Sequence, residues 1–550
     1  WSFLFADLHP HMIGIPFTIL FLGLAYNLVA SYGSPWMAEG RWEGILAFLV
    51  LPLTLGALGV INTWDLPTYL GMGMLAFLLR EWRRHALRRS ESALFGRIRL
   101  HLFLLYIAAL IGLALGLYLP FYRSYAAVGS SGVGIVRHPT TLVSQWLMMW
   151  GFFVFIVVPF VFSELRQRLP RGGSGGHSCG LVRWTRLWLE WWDRPARLSE
   201  LHALLVRTPT VGYVLTRWAL GLGILVGIVA LLLNYRVVAI LWLPLLAAML
   251  LLFRDTASPE DLFTGALVFT GLLVLTGVEV FFLKDFLCGC PPGSNTVGDY
   301  YRMNTLFKFY IQAWVLLGTG GAAALARLWP RVMDRWPSHW RAVWSGMFVV
   351  LLASSLVFPL LGIPARVNDR FPGARPSRNT LDGMAYMTVG AYTWPDGNHL
   401  IELRYDYEAI QWMLDHIQGT PVVAEAPASW YLVGDQSVGY DYYRAGGLRV
   451  ASLTGFPGLL GQHQGEQRYG DQVGPRERDG VEFFQTTDLA RTRALMEQLR
   501  ISYIYIGKLE RILFSPESLA KFDQMVAEGQ LEVVFQNEQV KLYRVIRLSS

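Results

Sequence analysis

The stretch "FLFADLHPHMIGIPF" (3–17) sets Asp7, His9 and His11 at every second position and then runs straight into apolar residues. Alternation in an extended segment places all three side chains on one side. Two imidazoles and a carboxylate suit a divalent ion such as Zn²⁺ or Mn²⁺, although the spacing matches no zinc signature. The competing reading is helix entry, with Pro10 at a first helical position and His9 as cap. The apolar run that follows decides the fold. A bilayer core of ~30 Å needs about 20 apolar residues in a helix, and this run is the first of a series.

Ten such segments follow one another at 11–33, 43–62, 66–82, 98–121, 143–166, 209–233, 236–253, 260–283, 304–328 and 341–363, the third and seventh being short. Composition agrees: 53% of the 550 residues are hydrophobic and 16% charged, against about 25% charged in ordinary soluble domains. The net charge of +7 comes from basic clusters lying between apolar segments, so no nucleic-acid-binding arm is present. Cys179, Cys288 and Cys290 make no disulfide framework. Hydropathy collapses after residue 365. The expected fold is a polytopic α-helical membrane protein of about ten transmembrane helices (1–365), followed by an extracytoplasmic α/β domain (366–550).

Direction follows from the short loops, because Lys and Arg collect on the cytoplasmic side. Arg83, Arg84, Arg88 and Arg89 follow the third segment, Arg166, Arg168 and Arg171 the fifth, and Arg331 and Arg335 the ninth. All follow odd-numbered segments. The lip at Asp7–His11, "NTWDLP" (62–67), the stretches 120–140 and 284–304, and the C-terminal domain then lie outside. Their shared side favours one composite outer site.

In the C-terminal domain, 405–416, 488–499 and 515–529 have helical patterns, the last with a Ser cap and Pro at the first position. Segments 421–426, 448–454 and 502–507 read as strands, and 531–546 as a hairpin turning near Asn537 and Glu538. No Gly-rich phosphate loop follows a strand, so no nucleotide site is expected.

Several ionisable residues stand where apolar ones are expected. Asp65 precedes Leu66 and Pro67 as a cap that also faces the outer side. Glu279 and Lys308 each lie four residues inside an outer helix end, about 6 Å deep. Intramembrane charges are costly and pair or face a cavity, so these two are expected to meet across antiparallel helices, as an ion pair or as a polar floor. Arg302, Asn304 and Tyr310 would enrich that floor, and Arg302 and Lys308 are natural binders of a lipid phosphate. The loop-rich "SLTGFPGLLGQHQGEQRYG" (452–470) carries His463, Glu466 and Arg468, and "GKLER" (507–511) adds Glu510 and Arg511. An exposed, ion-paired surface is the competing reading for both.

"FLFADLHPHMIGIPF", "INTWDLPTY", "YRMNTLFKFYIQAW" (301–314), "LTGFPGLLGQHQGEQR" and "YIYIGKLER" together resemble the Chlor_Arch_YYY membrane proteins, family 2298 of the domains of unknown function. The resemblance runs over nearly the whole chain, with its motifs in order. It implies a glycosyltransferase-C-like architecture, in which many spans and an outer α/β domain take a sugar from a polyprenyl-phosphate carrier. The family's Tyr-Tyr-Tyr-x-Gly run and its acidic Met-Asp site, upstream of the DLHPH segment, are not in this sequence. Three expectations follow: a partner chain supplies those N-terminal helices, the sequence is partial, or the protein is no longer an enzyme.

The expected activity is inverting transfer of a lipid-linked sugar at the outer face of the cell membrane. The candidate catalytic carboxylates are Asp7, Asp65 and Glu279. Donor phosphate binds near Arg302 and Lys308, a divalent metal or the acceptor near Asp7, His9 and His11, and 452–470 caps the cleft. Two alternatives stand beside it. One is a non-catalytic subunit of a membrane complex. The other is a transporter switched by Glu279 and Lys308, although no internal repeat supports it.

Overall fold

The computed structural model describes residues 10–31, 41–87, 100–125, 132–137, 140–166, 223–252, 258–285, 298, 300–371, 373–377, 380–441, 444–461 and 464–546. They divide into two compact units that part between Phe358 and Pro359.

The first unit is helical. In chain order its helices are α1 (Pro10–Ala30), α2 (Arg41–Ile61), α3 (Asp65–Leu87), α4 (Leu100–Gly116), α5 (Leu119–Ser124), α6 (Val143–Arg166), α7 (Gly223–Leu232), α8 (Arg236–Leu251), α9 (Pro259–Val280), α10 (Met303–Arg335) and α11 (Ser338–Val357). Among the described residues five helices are long and apolar enough to cross a membrane: Pro10–Ala30, Val143–Glu164, Pro259–Val280, Met303–Arg335 and the run Ser338–Arg370. Leu49–Ile61, His101–Gly116, Gly223–Leu232 and Arg236–Met249 are shorter apolar helices.

Local chemistry sets several of these ends. Pro10 opens α1, where its missing N–H costs nothing. Ser258 caps α9, its hydroxyl accepting from Asp261 N at 3.2 Å, with Pro259 next. The run from α11 continues through a π-helical turn, Phe358–Gly362, into α12 (Ile363–Arg370). Pro359 sits in that turn and has no N–H to give to the helical ladder.

Two apolar cores hold the unit together. Phe21, Leu55, Tyr69, Phe77 and Tyr106 join α1 to α4, and α9 and α10 add Leu262 and Leu316. Trp146, Trp150, Phe160, Leu241, Leu272 and Leu317 bind α6, α8, α9 and α10. The 33-residue α10, about 50 Å long at ~1.5 Å per residue, packs against α1, α3, α6 and α9. A short antiparallel pair, β1 (Gly132–Ile135) on β2 (Phe281–Lys284), covers the end where α9 stops and α10 starts.

The second unit carries β3 (Ala391–Thr393), β4 (Leu400–Glu402), α13 (Arg404–His416), β5 (Val422–Ala424), β6 (Ser429–Val433), β7 (Gln436–Tyr440), α14 (Arg449–Thr454), α15 (Gln464–Gln485), α16 (Leu489–Gln498), β8 (Ile501–Ile506), α17 (Lys508–Leu513), α18 (Pro516–Ala527), β9 (Leu531–Gln536) and β10 (Lys541–Val545). Its main sheet has the order β5-β8-β10-β9, with β5 and β8 parallel and the other pairs antiparallel. Asp488 and Ser515 cap α16 and α18, and β9 and β10 form the expected hairpin, closed by Asn537 N on Val540 O at 3.0 Å.

Two expectations fail here for physical reasons. Segment 448–454 is the helix α14, not a strand. Glu425 accepts the amide hydrogens of Val450 and Ala451 at 3.0 and 2.8 Å, and those donors are then helix-terminal ones. The stretch 452–470 is a loop only in part, since α15 begins at Gln464 and Glu466 and Arg468 lie along it.

Candidate functional site

The polar residues of the first unit collect at the two ends of an otherwise apolar bundle. At one end Arg83 Nη1 donates to Val29 O at 3.0 Å and so caps α1. Tyr26 there donates to Glu260 at 3.0 Å, Arg327 pairs with Asp261, and Arg331 pairs with Glu164. These contacts tie the finish of α1, α3, α6 and α10 to the start of α9.

The opposite end holds Asp65, Glu279, Arg302, Lys308 and Tyr310 in two clusters on different sides of α10, with Asn304 nearby. In the first, Arg302 Nη2 donates to Glu279 Oε1 at 3.0 Å and to Thr141 Oγ1 at 2.9 Å. Thr141 and Tyr310 also donate to Glu279 Oε1, at 3.0 and 3.2 Å. Glu279 is 2% exposed and Arg302 7%, so the pair is buried, while Thr141 and Tyr310 are half-buried. Thr140, Thr141, Arg236 and Glu279 line one shallow crevice beside it. Among the described residues Arg302 Nε has no hydrogen-bond partner.

The second cluster joins α1, α3 and α10. Gln312 Nε2 donates both to Asp65 Oδ1 and to Trp64 O, each at 2.9 Å, while Gln312 Oε1 accepts from Thr68 at 2.5 Å. A Cβ on Gly14 of α1 would lie 3.3 Å from Asp65 Oδ2, so this carboxylate oxygen faces the first helix. Lys308 lies one turn before Gln312 on the same face of α10 and stands 5.4 Å from the Phe307 ring centroid. His11 is 3% exposed and meets the same ring edge-on at 4.8 Å. Asn304 sits apart from both clusters and donates to Asp285 at 2.8 Å.

The expected meeting of Glu279 with Lys308 does not occur; Glu279 takes Arg302, and Lys308 faces Asp65. Helical geometry gives the reason. Lys308 and Gln312 are one turn apart and share the face toward α3, whereas Tyr310, two residues off, lies on the far side toward α6 and α9. Glu279 is also the penultimate residue of α9 rather than a turn inside it, because Phe281 is already extended. Asp65 is the first residue of α3 rather than the cap before it.

Of the remaining candidates, Asp7, His9 and His463 lie outside the described residues, as do the side chains of Glu466 and Arg468. Arg511 belongs to the second unit, on α17, and donates to Gln539 O. Its neighbour Glu510 is no surface residue: at 2% exposure it accepts from Ala426 N at 3.0 Å and Gly507 N at 2.8 Å. Sequence reasoning missed Gln312, although a lone amide inside an apolar run is a visible signal. It also missed Thr141, which had no signal of its own.

Among the described residues no group of three or more His, Cys, Asp or Glu is placed to hold a metal ion. The chemistry agrees. Glu279 already receives three donors on one oxygen, and Asp65 has an amide and an ammonium for neighbours, so neither suits a divalent cation.

An apolar helical bundle with ionisable groups confined to its ends is an integral membrane protein. The chain belongs to the DUF2298 family, described as uncharacterized membrane proteins, whose sequence profile matches residues 1–317. That match takes in the DLHPH, NTWDLP and YRMNTLFKFY motifs and stops before the second unit. No curated protein matches the chain.

Proposed function

We propose that this protein transfers a sugar from a polyprenyl-phosphate carrier to an acceptor at the extracytoplasmic face of the membrane. The observation that carries the proposal is the gathering of Asp65, Glu279, Arg302 and Lys308 at one end of the bundle. Each charge placed in the apolar layer costs roughly 2.5–3.5 kcal/mol on insertion scales. Here two acids and two bases are kept within the reach of a lipid headgroup. On this reading all ten apolar segments cross the membrane, and the Arg-rich connections after the odd-numbered ones are cytoplasmic.

Asp65 is the base. Among the described residues it makes no ion pair at hydrogen-bonding distance, and Gln312 fixes its plane. It takes the proton of the acceptor hydroxyl while the acceptor oxygen attacks the anomeric carbon from the side opposite the phosphate. The anomeric carbon–oxygen bond to phosphate breaks, and polyprenyl phosphate leaves with the electron pair. Lys308, on the same side of α10 as Asp65, stabilises the charge on that phosphate, and Arg302, across α10, adds a more distant positive charge. Glu279 positions Arg302 and is not a base, because its Oε1 already accepts three hydrogen bonds. On this reading the acceptor binds near His11, the described member of the Asp7, His9 and His11 set.

The test is a transfer assay in membranes carrying the protein, with a radiolabelled polyprenyl-phosphate sugar as donor. Wild-type protein moves label to acceptor. Asp65→Asn, which keeps an oxygen for Gln312, and Lys308→Met each lose ~100-fold or more. Full activity in both variants rejects the assignment.

A further inference from the structure

The strand pair β1–β2 in the first unit is apolar on both faces. On the inner face Gly134 lies against the ring of Phe282, which is buried and meets Tyr301 edge-on at 4.8 Å, with Val136 and Tyr235 beside them. The outer face carries Val133, Ile135 and Phe281, which are 64, 63 and 52% exposed, and Leu283, which is half-buried. The register sets them in two opposed pairs, Ile135 with Phe281 and Val133 with Leu283. An antiparallel pair with one face in water alternates apolar and polar side chains. Here the alternation is missing, and no polar side chain stands on the outer face.

The backbone fits this ribbon to an apolar surround. β2 begins at the residue after α9, a helix long and apolar enough to cross the membrane, so Phe281 stands where that span ends. Phe281 N donates to Gly277 O, and Leu283 N to Thr305 Oγ1 at 3.0 Å. Backbone donors need such partners where water is scarce. Val136 N on Val280 O at 2.8 Å and Tyr301 Oη on Arg137 O at 2.9 Å fix the ribbon to the bundle. At its far end Gly132 pairs with Lys284, and Asp285 accepts from Asn304 at 2.8 Å, so polarity rises with distance from α9.

We propose that the outer face of β1–β2 docks into the membrane leaflet at this end of the bundle, against the phospholipid acyl chains just below the headgroups. Continuity selects lipid as the occupant: β2 follows the last residue of a membrane-crossing helix without a linker. The side chains agree, since none on the outer face offers a protein partner a charge or a hydrogen bond. Among the described residues β1 pairs with β2 alone. An open strand edge is not tolerated in the hydrocarbon interior, so the ribbon rests at the boundary and goes no deeper. It thereby sets the depth of the Glu279–Arg302 pair, since Glu279 stands two residues before Phe281 and Arg302 follows Tyr301, whose ring packs on Phe282. The inference rests on the membrane-spanning bundle and is independent of sugar transfer.

The test uses full-length wild-type protein in vesicles of phospholipid that carries a photoreactive diazirine on the acyl chain close to the headgroup. After irradiation the adducts are located by mass spectrometry. The exposed Leu356 and Val357 at the finish of α11 are the internal control for labelling by lipid. Adducts on residues 133–135 and 281–283 are expected. A labelled α11 with an unlabelled ribbon overturns the proposal. A second readout puts an environment-sensitive fluorophore on Ile135→Cys, in full-length protein with Cys179, Cys288 and Cys290 replaced by Ser. Brominated phospholipid removes most of its emission, and iodide in the water leaves it unchanged. Quenching by iodide means a face open to water, and quenching by neither agent means a face covered by protein; either result overturns the proposal.

Discussion

Asp65 is oriented by an amide from another helix, and that single residue, Gln312, satisfies three polar groups at once: Asp65 Oδ1, Trp64 O and Thr68 Oγ1. Gln312→Leu strands all three in an apolar surround, at about 1–3 kcal/mol for each group left unsatisfied. The expected outcome is a lower midpoint of thermal unfolding in detergent, with transfer activity reduced because Asp65 is free to rotate. Arg302 behaves differently. Arg302→Met leaves Glu279 buried and charged, at a cost of about 3–5 kcal/mol. Adding Glu279→Gln to that variant recovers most of the loss, and unfolding of the single and double variants side by side measures it. That these side chains stand at helix ends was legible in the sequence, because a charge is conspicuous in an apolar run. Which charge meets which was not, since one residue more or less in a helix turns a side chain by ~100°.

At the level of elements, close approach and capping set what each segment becomes. Gly134 in β1 lies against the Phe282 ring of β2, where an added Cβ would come within 2.4 Å of a ring carbon. Gly134→Ala therefore displaces the ring, costs about 1–3 kcal/mol, and loosens the strand pair over the start of α10. Faster amide exchange at residues 281–284 reports it. In the second unit Lys521 of α18 is 3% exposed and donates to the carbonyls of Phe483, Phe484 and Thr486 at the finish of α15, at 2.6, 3.1 and 2.6 Å. Lys521→Met removes all three donors and lowers stability by roughly 3 kcal/mol, read from the unfolding of that unit. The helices at 488–499 and 515–529 were readable because their caps are local, Asp488 and Ser515 bonding within their own first turns. The sequence at 448–454 reads as a strand because it is a short run with apolar Leu448, Val450 and Leu453 and β-branched Val450 and Thr454. It is a helix because Glu425, far along the chain, meets its first amides, a tertiary contact that local pattern does not record.

On the scale of the whole molecule, the division between Phe358 and Pro359 separates a lipid-facing bundle from a unit with its own apolar interior. The second unit's core, with Phe483, Phe484, Leu495, Ile504 and Phe522 at 0% exposure, draws on its own helices and sheet. Residues 375–550 expressed alone are expected to unfold cooperatively by circular dichroism. A featureless melt would mean that the bundle is needed to hold them. The apolar series was legible from hydropathy alone, as was the change of character after it. The grouping of Asp65, Glu279, Arg302 and Lys308 at one end was legible in outline, because antiparallel connection fixes which ends coincide. The proposed inverting sugar transfer is tested most directly with purified wild-type protein in lipid vesicles. It is given a polyprenyl-phosphate sugar and an acceptor, and the anomeric configuration of the product is read by NMR beside the free polyprenyl phosphate released. The account predicts one free carrier phosphate for each sugar transferred, with the anomeric centre inverted. An intact carrier or a retained configuration would contradict it.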